Sequence, residues 1–239
     1  PGSRNSPLSH TFAMEPFFIC HSVVDERSAA FYALGVIQAT DEAVAVCCTS
    51  GTAVLNYAPA VAEAFYQRLP LLVITADRPE CWIGQMAGQT IPQPGVFNSL
   101  VKQAVQLPEI VTKEDEWYCN RLINEVLHEL DHYVKGPVQI NVPLSEPLFE
   151  YTEKELPVVR KINHNKSQKE FSHLNYIQRF REFNKCLIIV GQLPADNDLE
   201  PLLESLASKN ACVVLAEHLS NIESDFFIGN FDKILSTSE

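Results

Sequence analysis

The residues best suited to chemistry sit in short polar segments that break apolar runs. Arg4 lies in Pro1-Gly2-Ser3-Arg4, Glu26 in Asp25-Glu26-Arg27, and Arg78 in Ala76-Asp77-Arg78-Pro79. Thr49-Ser50-Gly51-Thr52 supplies hydroxyls and a glycine, and Asn56 and Gln89 add amides nearby in the chain. A guanidinium fork matches the geometry of carboxylates, a carboxylate can hold a proton, and a glycine turn opens backbone N–H groups to a ligand. Such a set suits a polyanionic small molecule. These segments contain no histidine, and no zinc, EF-hand, G-x-S-x-G or Walker pattern occurs in the chain. Each residue also has a plainer reading. Glu26 can serve only the dipole of a helix start, Arg4 and Arg78 can be solvated turn charges, and Gly51 can merely permit a tight turn.

Convergence decides between these readings, and it depends on the elements. Ala43 to Cys48 reads as a strand buried on both faces, followed by the Thr49–Thr52 turn and a helix from Ala53 onward, kinked or begun at Pro59. Strand, tight turn and helix place a helix N-terminus at the carboxyl edge of a parallel sheet, where open α/β sheets bind ligands. Phe17 to Val24, Leu71 to Thr75 and Val138 to Val142 read as further strands. The segment after Asp25-Glu26-Arg27 reads as a small-residue helix. Asn5 or Ser6 can cap a short helix with Pro7 in its first turn. Residues 80–100 form a long loop with three glycines and two prolines, a length that usually serves function. Thr112 and Asp115 form a capping box for a helix whose apolar face carries Trp117, Leu122, Ile123, Val126, Leu127 and Leu130. On this reading Pro1–Arg4, Asp25–Arg27, Thr49–Thr52, Ala76–Pro79 and Asn141–Pro147 share one sheet edge.

The fold class expected is α/β: a parallel-sheet domain over residues 1–150, a charged linker over 151–170, and the first part of a second α/β domain over 171–239. In that second domain Leu187–Val190 and Cys212–Leu215 read as strands and Asp198–Lys209 as a helix. The chain opens on a turn and closes with no evident stop, which reads as a piece of a longer protein. Its 239 residues, 46% hydrophobic and 20% charged, are ordinary for a globular soluble protein. A formal charge of −12 without a basic patch argues against nucleic acid and anionic membranes as partners, and no apolar run can span a bilayer. Seven cysteines without C-x-x-C spacing suggest a reducing, cytoplasmic setting, with Cys47, Cys48, Cys186 and Cys212 as small core residues.

The segments PGSRNSPL, VDERSAAF, CCTSGTAVLN, ITADRP and GQTIPQPGVF occur in an order that resembles the thiamine-diphosphate enzymes, and among them the carboligases of menaquinone biosynthesis. The resemblance is strong over about residues 1–150 and looser to residue 239. It implies a pyrimidine-binding domain followed by part of a cofactor-free α/β domain. The cofactors implied are thiamine diphosphate and Mg²⁺, both anchored by a domain outside this chain. The implied substrates are 2-oxoglutarate and isochorismate, and the implied assembly is a homodimer or homotetramer. The chain alone is then inactive. Glu26 matches the glutamate that hydrogen-bonds the aminopyrimidine ring and favours the tautomer able to accept the thiazolium proton. Thr52 and Asn56 match positions on the cofactor side of the turn, and Ser3, Arg4, Arg78 and Gln89 match substrate-facing positions. Gly88 stands where some family members have Asn. Competing readings are an acetolactate-synthase-like enzyme, for which Arg4 and Arg78 are more cationic than needed, and a noncatalytic anion-binding module, which would call for a G-x-G-x-x-G fingerprint.

Overall fold

The computed structural model describes residues 2–151, 156–162, 185–196, 198–209 and 212–236. They fall into two compact units, one within residues 1–164 and one within 165–239. Most of the expected linker, and the expected start of the second domain near Phe171, lie outside the described residues.

The first unit runs α1 (Ser6–Met14), α2 (Glu26–Thr40), β1 (Val44–Cys48), α3 (Thr52–Asn56), α4 (Ala58–Gln67), β2 (Leu71–Asp77), β3 (Gln103–Gln106), α5 (Lys113–Glu129) and β4 (Val138–Pro143). All four strands are parallel, in the order β1-β2-β4-β3. Helices cover both faces. Leu71 and Val73 of β2 join Ala30, Leu34 and Ile37 of α2 and Ala60, Val61 and Ala64 of α4 in one core. The intervening Leu72 faces the other core, with Val126 of α5, Val105, Val138 and Ile140. Alternation along β2 therefore feeds two layers, as a doubly covered parallel sheet requires. Alanines at the inner positions of α2 and α4 remove bulk and let these helices sit close together.

Several expectations change. Phe17–Val24 forms no strand: among the described residues the segment has no ladder partner, and Phe17, Ile19 and Val24 are more than 80% exposed. Apolar content alone does not make a strand, because a strand needs a ladder partner for its backbone groups. β1 is an edge strand with only one face covered: Val46 and Cys48 are buried while Ala45 is exposed. The helix after Gly51 is broken at Tyr57, and Pro59 falls in the first turn of α4, where its missing N–H costs nothing. Gln103–Gln106 is an added strand. It is four residues long with only Val105 buried, too short and too polar to stand out. Asn5 occupies the N-cap of α1, but its amide oxygen accepts from the Gly2 N–H at 2.8 Å and not from the helix.

The capping box of α5 forms as expected. Its core-facing side carries Val126 and Leu130, with Leu122 and Ile123 packed against the same core, as expected; Cys119 joins them, while Trp117 and Leu127 are exposed. The Trp117 ring lies 6.0 Å from the Arg160 guanidinium, and the Asn120 and Asn124 amides both donate to the Arg160 carbonyl at 3.1 Å. Residues near 160 thus run along the polar side of α5.

The second unit has a parallel three-stranded sheet of β5 (Leu187–Val190), β6 (Val213–Ala216) and β7 (Phe227–Ile228). With it go α6 (Leu199–Ser208) and α7 (Phe231–Ser236). Its core gathers Val190, Leu203, Cys212 and Val214. Among the described residues no helix is long and apolar enough to cross a membrane.

Candidate functional site at the carboxyl edge of the first sheet

Parallel β1, β2 and β4 end together, so Thr49–Gly51, Asp77–Arg78 and Leu144–Glu146 emerge at one edge. The start of the chain joins them. A Cβ on Gly2 would lie 2.7 Å from the Thr49 Cβ, so only glycine lets this segment approach the turn so closely. Arg4 follows, 5% exposed, and donates from Nη1 to the Leu144 carbonyl at 2.8 Å and from Nη2 to Glu146 Oε1 at 3.2 Å. Ser3 is exposed beside it.

The 80–100 loop closes over the same edge. Arg78 donates from Nε and Nη2 to the single carbonyl of Gly88, at 3.2 and 2.8 Å. Gly88 therefore takes part through its backbone, which any residue at that position would supply. Gln89 and Ser50 bind reciprocally: Ser50 Oγ donates to the Gln89 carbonyl at 2.9 Å, and Gln89 Nε2 donates to the Ser50 carbonyl at 3.1 Å. Gln89 adopts φ +59°, and Gly51 beneath it φ +83°. A Cβ on Gly51 would meet the Gln89 side chain at 2.9 Å. Glycine there answers both the left-handed backbone and the close approach of the loop.

Behind this rim lies a buried polar cluster on the strand ends. Asn141 of β4 accepts from Thr75 Oγ1 at 2.7 Å and from Gln93 Nε2 at 2.8 Å, and donates to Asp77 Oδ2 at 2.8 Å. Asp77 Oδ1 takes the Arg78 N–H at 2.8 Å. Burial raises the Asp77 pKa above the usual carboxylate value, while the Asn141 hydrogen bond and the nearby Arg4 and Arg78 charges pull it back. Gln93 and Asp77 are 0% exposed, and Gln139 and Asn141 1%. Asp77 and Asn141 fall in the edge segments read from the sequence, whereas Thr75, Gln93 and Gln139 do not. The signal was available in Val138–Pro143: a parallel strand buried on both faces is normally apolar, and this one carries Gln and Asn two positions apart.

Glu26 behaves differently. It is the first residue of α2, half-buried, behind the N-cap Asp25, whose carboxylate takes the Ser28 N–H at 2.7 Å. Its own carboxylate has no hydrogen bond or ion pair among the described residues. It is close enough to Cys48 and Tyr57 to raise the pKa of each; both are pushed up chiefly by burial. The buried Thr49 Oγ1, at the end of β1, is likewise unpartnered. A buried hydroxyl left without a partner costs about 1–3 kcal/mol, so a ligand able to satisfy it is favoured. An uncommitted carboxylate near Cys48 and Tyr57, with an unpartnered buried hydroxyl at the end of β1, fits the polar ring of an aminopyrimidine. Thr52 and Asn56 lie one turn apart on the exposed face of α3, whose Ala53 and Val54 are buried, and Asn56 Nδ2 donates to the Thr52 carbonyl at 3.1 Å. No group of three or more His, Cys, Asp or Glu that could hold a metal occurs among the described residues.

The chain is similar to known proteins. Residues 1–99 match the family model described as the thiamine pyrophosphate enzyme, N-terminal TPP binding domain. A thiamine diphosphate-dependent 4-hydroxybenzoylformate decarboxylase from Rhodococcus jostii RHA1 shares the fold, with a TM-score of 0.66 at 21% identity over 91% of this chain and 40% of that one. Residues 1–99 thus resemble the N-terminal domain of the thiamine pyrophosphate enzymes, and the fold is shared with one enzyme of that class. Within that class, the chain is similar to 2-succinyl-5-enolpyruvyl-6-hydroxy-3-cyclohexene-1-carboxylate synthases. It is 53% identical to the one from Bacteroides thetaiotaomicron over 92% of this chain and 40% of the relative. It is also 53% identical to that of Bacteroides fragilis strain ATCC 25285 over 98% of this chain and 43% of the relative. The chain therefore spans about two fifths of the length of the curated relatives it matches.

Proposed function

We propose that this chain supplies the pyrimidine-binding part of a thiamine-diphosphate-dependent carboligase. The full-length enzyme would decarboxylate 2-oxoglutarate and add the remaining four-carbon unit to isochorismate, in menaquinone biosynthesis. The observation that carries the reading is the contrast at one sheet edge. Glu26 stands uncommitted, whereas Arg4, Arg78 and Gln89 are held by Leu144, Glu146, Gly88 and Ser50 around a docked loop, in a chain 53% identical to synthases of that name.

When bound, thiamine diphosphate supplies the nucleophilic carbon that the decarboxylation needs. The chain's own residues would do the rest. Glu26 would accept a hydrogen bond from the aminopyrimidine ring and so set its protonation. Thr52 and Asn56 would line the turn on the cofactor side. Ser3, Arg4, Arg78 and Gln89 would face the carboxylates of isochorismate, and an arginine fork holds a carboxylate in a defined plane as lysine does not. Closure of the loop by Gln89 and Arg78 would exclude water from that side. Mg²⁺ would be held, with the diphosphate, by another part of the full-length protein. We assign residues 1–150 to the pyrimidine-binding domain, 151–170 to a linker and 171–239 to the start of a middle domain. We also infer a homodimer or homotetramer working in the cytoplasm.

Purified full-length protein incubated with thiamine diphosphate, Mg²⁺, 2-oxoglutarate and isochorismate tests the proposal. Release of CO₂ with an adduct of the expected mass supports it. Turnover of pyruvate in preference to 2-oxoglutarate, or no turnover, overturns it.

A further inference from the structure

We propose that Gln93 is the positioning residue that sets the spacing between the Ser50–Gly51 turn and the Asp77–Arg78 strand end, and through it the geometry of Gln89 and Arg78 toward an acceptor carboxylate. The inference rests on the substrate-facing role given to those two residues above.

Gln93 is 0% exposed, although its side chain is a primary amide. Oε1 accepts the Gly51 N–H at 2.8 Å, and Nε2 donates to the Ala76 carbonyl at 3.1 Å and to Asn141 Oδ1 at 2.8 Å. The amide orientation follows from its partners, because a backbone N–H can only donate and a backbone carbonyl can only accept. Both backbone groups need such a partner. Gly51 N–H is one of the donors a helix start leaves without an intrahelical acceptor. Ala76 lies one residue past the last β1–β2 pair, Cys48 with Thr75, where β1 has already turned away. The Gln93 amide thus bridges the gap left by β1. Through Asn141 the same amide reaches Asp77, whose other oxygen holds the Arg78 N–H.

The consequence is geometric. The turn grips the loop through Ser50 and Gln89, and the end of β2 grips it through Arg78 and Gly88. Gln93 joins these two grips from beneath, in a dry site, without facing the ligand itself. Removing its hydrogen bonds frees the two ends to move relative to one another, and misplacement by about 1 Å is enough to cost on the order of 100-fold in a well-ordered site.

The test is Gln93→Met in the full-length protein, which keeps the volume and removes all three bonds. Val126→Ala, in the core under α5, serves as a comparator for general loss of stability. Residue-resolved hydrogen exchange should show the Gly51 amide protected in the wild type and exchanging at least tenfold faster in Gln93→Met, but not in Val126→Ala. The KM for isochorismate should rise roughly tenfold or more, while decarboxylation of 2-oxoglutarate slows by less than about threefold. If Gln93→Met does not fold, Gln93→Glu keeps the acceptor for Gly51 and loses the donor to Ala76 and Asn141, so the same KM split is expected with the Gly51 amide still protected. A Gly51 amide unprotected in the wild type, or equal losses in both half-reactions matching Val126→Ala, would overturn the proposal. Absence of any isochorismate turnover by the wild type would instead sink the functional reading, and the Gly51 exchange alone would then decide whether Gln93 holds the turn.

Discussion

The two parallel sheets of this chain obey one topological rule and end in different ways. The first ends in buried polar side chains: Thr75, Asp77 and Asn141 on the strands, with Gln93 laid across them. The second ends in aliphatic residues, Val190 on β5 and Ala216 on β6, and Ser220 is the buried polar residue of its unit among the described residues. Burying an amide or carboxylate is costly unless it is satisfied, so a packed polar cluster is kept only where it holds something in place. A parallel carboxyl edge alone is therefore a weak sign of a site. Polar groups buried beneath it, with uncommitted groups such as Glu26 and Thr49 beside it, are a stronger one.

The largest effect expected from this contrast is at Glu26. Glu26→Gln in the full-length protein should lower turnover by roughly 10²- to 10⁴-fold with substrate affinity largely kept, as for loss of a proton-handling group. Steady-state kinetics checks it, and a change confined to KM would move Glu26 out of the chemistry. The matching change in the second unit should act on stability instead. Leu203→Ala, at a side chain 5% exposed, should cost about 2–5 kcal/mol locally, read by hydrogen exchange over α6, with kcat/KM unchanged at equal folded fraction. A fall in kcat/KM there would erase the contrast between the sheets.

A smaller effect separates the rim from the scaffold within the first unit. Arg78→Lys keeps the charge but loses the planar fork that donates twice to Gly88. Isochorismate capture should weaken by about 1.5–3 kcal/mol, the range of a charged hydrogen bond, with less effect on 2-oxoglutarate decarboxylation. Equal losses in the two half-reactions would make Arg78 a loop anchor only. The smallest effect is at the exposed cap of α2. The Ser28 backbone N–H holds the Asp25 carboxyl below its ordinary value of 3.8. Because the folded-state pKa is depressed, the stability this cap lends is present above pH 3.8 and is lost as pH falls through the folded-state pKa. An NMR titration of Asp25 should therefore give a midpoint below 3.8, and one at or above that value would remove the cap.

How much of this was legible in the sequence depended on whether a local rule or a distant partner decided the outcome. β2, β4 and the strand–turn–helix around Gly51 were readable because apolar runs and a glycine turn are local signals. So was the capping box of Thr112 and Asp115, which needs only four residues. Phe17–Val24 was misread because its apolar content says nothing about a ladder partner. β3 was missed because four residues with one buried side chain carry no period. At the site, Arg4, Arg78, Gln89 and Glu26 stood out as charged or polar residues in turns, and the fold brings the first three onto one loop-covered edge. Gln93 and Asn141 did not stand out. Their importance comes from partners 17 to 66 residues away in the chain, which no local pattern encodes. Only the polar pair within β4 hinted at them.

The role proposed for Glu26 is tested most directly by exchange of the thiazolium C2 proton for deuterium, followed by quenched-flow NMR on the full-length protein loaded with thiamine diphosphate and Mg²⁺. The wild type should exchange this proton far faster than the free cofactor, and Glu26→Gln should slow the exchange by about 10²-fold or more while the cofactor stays bound. Exchange in Glu26→Gln as fast as in the wild type would contradict the assignment of this carboxylate, and with it the reading of the sheet edge as the place where the cofactor's ring is held.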